Sequence, residues 1–145
     1  MTSELSTNTL TIRGHFHGFL KDSLFHLSDS SIWLQTEDLL WRFHSDNQPV
    51  LLIHDEAGSY LQLPDQDFRV AVAEVTDVIF SRIKDEFHGW EGETSYQLTN
   101  DQVWQQVDSA FHYQNAYMPH VVIYARQNHC YMQVMGRTVQ VRRAD

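Results

Sequence analysis

His15 and His17 stand one residue apart, a type and spacing that offers metal chemistry. In an extended chain residues i and i+2 share a face, so both imidazoles would reach one ligand. A parallel pair, Glu86 and His88, occurs further along. A zinc site needs three or four ligands in tetrahedral reach. Only His17 and His88 recur as histidine in the chain's two sequence copies, and His26, His44, His54, His112, His120 and His129 have no histidine counterpart, so His15, His17, Glu86 and His88 are weak metal candidates. The expectation is no metal and no cofactor. The chain has nine histidines, and surface or hydrogen-bonded imidazoles are their commoner use.

Other reactive groups point less clearly to chemistry. Glu91 and Glu93 offer a carboxylate pair for acid–base work, but they flank an expected turn, where solvated charges are usual. Cys130 is the only cysteine, which excludes an internal disulfide. Its strand-like setting suggests a packed thiol rather than a nucleophile. There is no G-x-S-x-G elbow and no phosphate-binding G-x-x-x-x-G-K-[ST] loop. No catalytic residue is assigned, and a non-enzymatic protein is expected. Phe111, Tyr113, Tyr117 and Tyr124 are able to stack on a ligand. Packing or an interface is the more frequent use of such a stripe.

The elements that carry these residues come in two copies. At an offset of 71, Ile12 meets Ile83, and Phe16-His17-Gly18-Phe19 meets Phe87-His88-Gly89-Trp90. Phe25 to Trp33 then lies over Tyr96 to Trp104, and Gln35 over Gln106. One residue drops out where Pro49 is set over Pro119, and the offset returns to 71 at Ser59 over Cys130. Ordered matches of this kind predict a unit of about 60 residues, repeated in tandem.

Each copy reads as β. Apolar residues alternate along Leu10, Ile12, Gly14, Phe16 and Gly18. Polar turns at Ser28–Ser31 and Thr99–Gln102 separate apolar runs and predict hairpins. The segment Ser109–Tyr117 is expected as a strand with Phe111, Tyr113, Asn115 and Tyr117 on one face. The fold class expected is all-β: two tandem small SH3-like barrels, packed together. The boundaries expected are a disordered tail at 1–8, a first unit at 9–75 and a second at 76–145. The join Ala73–Arg82 has no Gly or Pro and reads as strand running into strand.

The second copy resembles a small bacterial β domain. Its pattern opens acidic-F-x-G-W-x-G-[ED]-T, continues L-[TM]-N-x-x-x-W-x-Q, then a tyrosine-rich strand ending at proline, then V-x-[IV]-Y. Here it is carried by "DEFHGWEGETSYQLTNDQVWQQ", "FHYQNAYMP" and "HVVIY". The first copy has Leu20-Lys21-Asp22-Ser23 where the second has Glu91-Gly92-Glu93-Thr94. The resemblance implies a β fold and a bacterial source, and no particular activity.

The net charge of −9 argues against nucleic acid and favours a basic partner. That charge is uneven. Residues 1–75 hold four Lys/Arg against eleven Asp/Glu; residues 76–145 hold six against eight. The excess falls in expected loops, and Glu37, Asp38, Asp46, Asp55, Glu56, Asp65 and Asp67 are the expected partner-binding residues. No stretch has the roughly 18 apolar residues of a membrane span. With no apolar leader at the start, the chain is expected in the cytoplasm. The functional expectation is an acidic protein-binding module of the immunity or inhibitor type. It would neutralise a basic protein such as a bacterial toxin or nuclease. The alternatives are a metal- or small-ligand-binding protein using histidine and aromatic faces, or a structural module dimerising through strand edges.

Overall fold

The structure, a computed structural model, describes residues 6–145. It is all-β, with no helix among the described residues. The chain divides into two compact units, Met1–Val75 and Thr76–Asp145. The first contains β1 (Ser6–Thr11), β2 (His15–Phe19), β3 (Leu24–His26), β4 (Ile32–Gln35), β5 (Trp41–Asp46), β6 (Pro49–His54), β7 (Ser59–Gln62) and the start of β8 (Val70–Arg82). The second contains the rest of β8, then β9 (Glu86–Glu91), β10 (Ser95–Gln97), β11 (Val103–Gln106), β12 (Phe111–Tyr117), β13 (His120–Arg126), β14 (His129–Val134) and β15 (Arg137–Arg143). The join expected as strand running into strand is the single strand β8.

Both units use the same antiparallel pairings. In the first, the order is β1-β6-β7-β8-β4-β3, with β2 and β5 forming a separate ribbon. In the second it is β8-β13-β14-β15-β11-β10, with β9 and β12 as the ribbon. The hairpins anticipated at Ser28–Ser31 and Thr99–Gln102 are β3–β4 and β10–β11.

Continuous ladders do not close either unit into a barrel, so the SH3-like expectation holds only at the all-β level. β3 and β10 are three residues long. They meet the opposite edge through single bridges, Ile12 to Leu27 and Ile83 to Leu98. Just beyond each bridge the backbone turns left-handed, at Gly14 (φ 78°) and Asp85 (φ 64°). That turn carries the chain away from the edge into the ribbon before a ladder can form.

Two further expectations change. The disordered tail expected over 1–8 does not hold at Ser6, Thr7 and Asn8, which pair with His54, Ile53 and Leu52. Their side chains carry no apolar signal; their backbone groups provide the pairing. Residues 1–5 lie outside the described residues. The alignment at the prolines also shifts. Thr11 faces Pro49 and Arg82 faces His120, so counterparts stay 71 apart there. Pro119 corresponds to Gln48: each gives its carbonyl to the same amide position, Ile83 N–H and Ile12 N–H. A carbonyl acceptor needs no N–H, so proline fits there as well as glutamine. The lengths differ later. Leu61 faces Val70 while Met132 faces Val139, because the tight turn at Met135-Gly136 replaces the longer 63–69 loop.

Each unit has its own core. Phe16, Phe19, Phe25, Leu27, Trp33 and Leu61 fill the first. Phe87, Trp90, Tyr96, Leu98, Trp104 and Met132 fill the second. Burying each such side chain fully is worth about 1.5–3 kcal/mol. The ribbon strands deliver Phe16 and Phe19, or Phe87 and Trp90, inward. The glycine between them has no room for a side chain. A Cβ on Gly18 would lie 2.0 Å from Trp41 O, and one on Gly89 would lie 2.0 Å from His112 O. Both glycines also have positive φ, at 97° and 102°. A glycine inside a strand accommodates such a close backbone approach.

Candidate functional site

β12 alternates exposed and half-buried residues along its length. The face expected for Phe111, Tyr113, Asn115 and Tyr117 is exposed as one row. Phe111, Tyr113 and Tyr117 are 74%, 65% and 71% exposed. Large aromatic rings at this exposure leave a grouped apolar area in water, which makes the row a candidate contact surface. Tyr124 separates from the set: it is buried, stacked on Tyr131.

The partner strand sets carboxylates against these rings. Phe111 is opposite Glu91, Tyr113 opposite Gly89, and Tyr117 opposite Glu86. A register shift between Tyr113 and Ala116 adds an extra residue on β12. A polar line ties the face together. His88 Nε2 lies 3.6 Å from Glu86 Oε2, and His88 Nδ1 lies 3.0 Å from Asn115 Oδ1. Asn115 Nδ2 donates to Tyr113 OH at 3.0 Å. Glu86, His88, Tyr113, Asn115 and Tyr117 line one shallow depression. His88, the histidine shared with the first unit's His17, is thus held by its own ribbon.

The seven expected acidic residues divide by what they already do. Glu37 Oε1 accepts the Ala71 amide at 2.9 Å. Asp55 accepts the Ala57 and Gly58 amides and pairs with Arg69 at 3.1 Å. Partial burial works against the charged Asp55, but those donations outweigh it and hold its pKa below the usual carboxylate range. Asp46 lies 2.7 Å from His15 Nδ1. These three carboxylates are engaged within their own unit. Asp38, Glu56, Asp65 and Asp67 are exposed in loops. Asp55 and Glu56 precede β7 while Asp65 and Asp67 follow it, so they occupy opposite ends of that strand.

The metal candidates fall in two places. His15 and His17 are on β2, Glu86 and His88 on β9, each pair exposed on its own ribbon. Glu91 and Glu93 are exposed beside a depression that Asp108 also lines. Asp108 accepts from Gln106 Nε2, the Ala110 amide and the Gln140 amide, which makes it a brace for the loop. Cys130 packs against the second core. Burial, helped by the Asp77 charge, pushes its thiol pKa up, which suppresses the thiolate.

Two buried glutamines escaped the sequence reading as site-shaping residues. Gln35 Nε2 donates to the Glu37 and Leu39 carbonyls. Gln106 Nε2 donates to Asp108 Oδ1 and the Ala110 carbonyl, and its Oε1 accepts the Gly92 amide. Each fixes the loop that leads into the second strand of its ribbon. The match of Gln35 with Gln106 was the available signal. Comparison with known proteins adds no name: no family model, no curated protein and no solved structure matches this chain significantly.

Proposed function

We propose that this is a non-enzymatic, acidic protein-binding module of the immunity or inhibitor type, neutralising a basic partner such as a bacterial toxin or nuclease. The observation that carries the reading is the exposed row Phe111, Tyr113 and Tyr117, edged by Glu86 and Glu91. Aromatic faces attract Lys and Arg side chains, and neighbouring carboxylates pair with them. The overall charge of −9 steers a basic partner toward the chain. The loop carboxylates Asp38, Glu56, Asp65 and Asp67 add to that steering, while Glu37, Asp46 and Asp55 contribute charge from positions they already occupy. The bacterial setting comes from the motif resemblance, and the cytoplasm from the sequence character. The description of each unit as a small SH3-like barrel belongs to this proposal too. It is supported by the bridges at Ile12–Leu27 and Ile83–Leu98.

The test is affinity capture from a bacterial extract with the wild-type chain and with Tyr113→Ala and Tyr117→Ala. A basic protein should be retained by the wild type. Each substitution should weaken that complex by about 2 kcal/mol, roughly thirtyfold, as a central aromatic anchor does. Retention of the same protein by both variants at wild-type affinity would sink the reading. So would a retained partner that is acidic.

A further inference from the structure

We propose that His15, His17 and His44 form a binding site for a divalent transition-metal ion, zinc foremost, with Asp46 orienting His15. The site belongs to the first unit and does not depend on the aromatic face of the second. His15 and His17 are two apart on β2, and His44 and Asp46 are two apart on β5. The register sets His15 directly opposite Asp46. A shift between Phe16 and Gly18 then brings His44 alongside His17. The sequence offered two ligands at a time; the ribbon supplies the third from 27 positions beyond His17.

The geometry suits an ion. One nitrogen from each imidazole lies within 4.8 Å of the others. His15 Nε2 is 3.3 Å from His44 Nδ1. Two nitrogens bound tetrahedrally to zinc, each at about 2.0–2.1 Å, are roughly 3.3–3.4 Å apart. His15 Nδ1 is 2.7 Å from Asp46 Oδ1. With its N–H given to the carboxylate, His15 turns the lone pair of Nε2 toward His44, as a carboxylate–histidine–metal triad does. All three imidazoles are exposed, so small rotamer adjustments suffice to gather them. Imidazole ligands suit zinc, copper and nickel, and three of them leave a position open to water.

The second unit provides an internal control. By register, Glu86 stands where His15 does, facing Tyr117 as His15 faces Asp46. Asn115 stands where His44 does and already bonds His88 at 3.0 Å. One imidazole remains there, so no comparable set of nitrogens exists.

Titration of the full chain with Zn2+ in a calorimeter, and with Co2+ followed by its visible spectrum, tests the site. One saturable metal per chain is expected. Asp46→Asn should weaken binding by about 10–100-fold. His17→Ala and His44→Asn should weaken it further, and His88→Ala should leave it unchanged. Thermal melts without metal should be the same for all four, since the side chains are exposed. Absence of a saturable site, or wild-type affinity in His44→Asn, overturns the proposal. Loss of binding in His88→Ala overturns it as well.

Discussion

On β2–β5 the outward positions carry His15, His17, Arg42, His44 and Asp46; on β9–β12 the matching positions carry Glu86, His88, Tyr113, Asn115 and Tyr117. Only the histidine at 17 and 88 is common. The inward positions behave differently. Phe16 and Phe87, Gly18 and Gly89, and Phe19 and Trp90 are all buried. One backbone therefore presents two chemistries, imidazole and carboxylate in the first unit, aromatic and carboxylate in the second. Inward residues answer to packing, where a single methyl group is felt. Outward residues answer to solvent or to a ligand, so the same scaffold tolerates either set.

The largest effects are expected at the glycines that the two ribbons share. Gly18→Ala and Gly89→Ala each drive a Cβ into a backbone carbonyl. Each should cost about 4 kcal/mol or more, among the largest effects of point substitutions. Urea denaturation of both variants measures it. An alanine tolerated at one glycine but not the other would show that the two ribbons do not share their close approach.

The buried glutamines should separate the units more gently. Gln106 satisfies both ends of its amide. Gln35 Oε1 is buried with no hydrogen-bond partner. Gln106→Ala should therefore cost about 2–3 kcal/mol and Gln35→Ala about 1 kcal/mol less, since an unmet acceptor is removed with it. Equal or reversed losses in the urea midpoints would contradict that account.

The smallest expected difference is in pH response at the β3–β4 and β10–β11 turns. In the first, Asp29 accepts from the Ser31 hydroxyl and amide, and Ser31 Oγ accepts Trp33 Nε1. In the second, Asn100 accepts the Gln102 amide, and Gln102 accepts Trp104 Nε1. The Ser31 hydrogen bonds, side chain first, hold Asp29 below its ordinary 3.8. A depressed carboxyl stabilises the fold fully above the unfolded value and loses that contribution as pH falls through the lower folded one. The site is exposed, so the effect is about a few tenths of a kcal/mol after solvent screening. Acidification below about pH 4 should shift the Trp33 indole resonance and not that of Trp104. Asp29→Asn should abolish the Trp33 response; a response persisting in that variant would refute the assignment.

Much of this was legible in the chain. Alternation gave Phe111, Tyr113, Asn115 and Tyr117 a common face because strand side chains alternate with period two. The echo of Phe16-His17-Gly18 in Phe87-His88-Gly89 marked the inward positions. Identity matching failed in setting Pro49 over Pro119, because at the equivalent positions Gln48 and Pro119 a backbone carbonyl does the work and the residue type is nearly indifferent. Barrel closure was also beyond the sequence, because a left-handed turn at Gly14 or Asp85 decides it and such turns leave little trace in polarity.

Residue types and their short-range order determined the acidic charge, the strand-rich class and the lack of a nucleophile motif. Register decided the rest. Whether His44 meets His15 and His17, and whether Glu86 and Glu91 edge the aromatic row, depends on which residue of one strand faces which of another. Slipping that register by one position would turn every outward group inward. It is set by the buried partners of both ribbons, Phe16 and Gly18 in one and Phe87 and Gly89 in the other, which only the tertiary structure brings together.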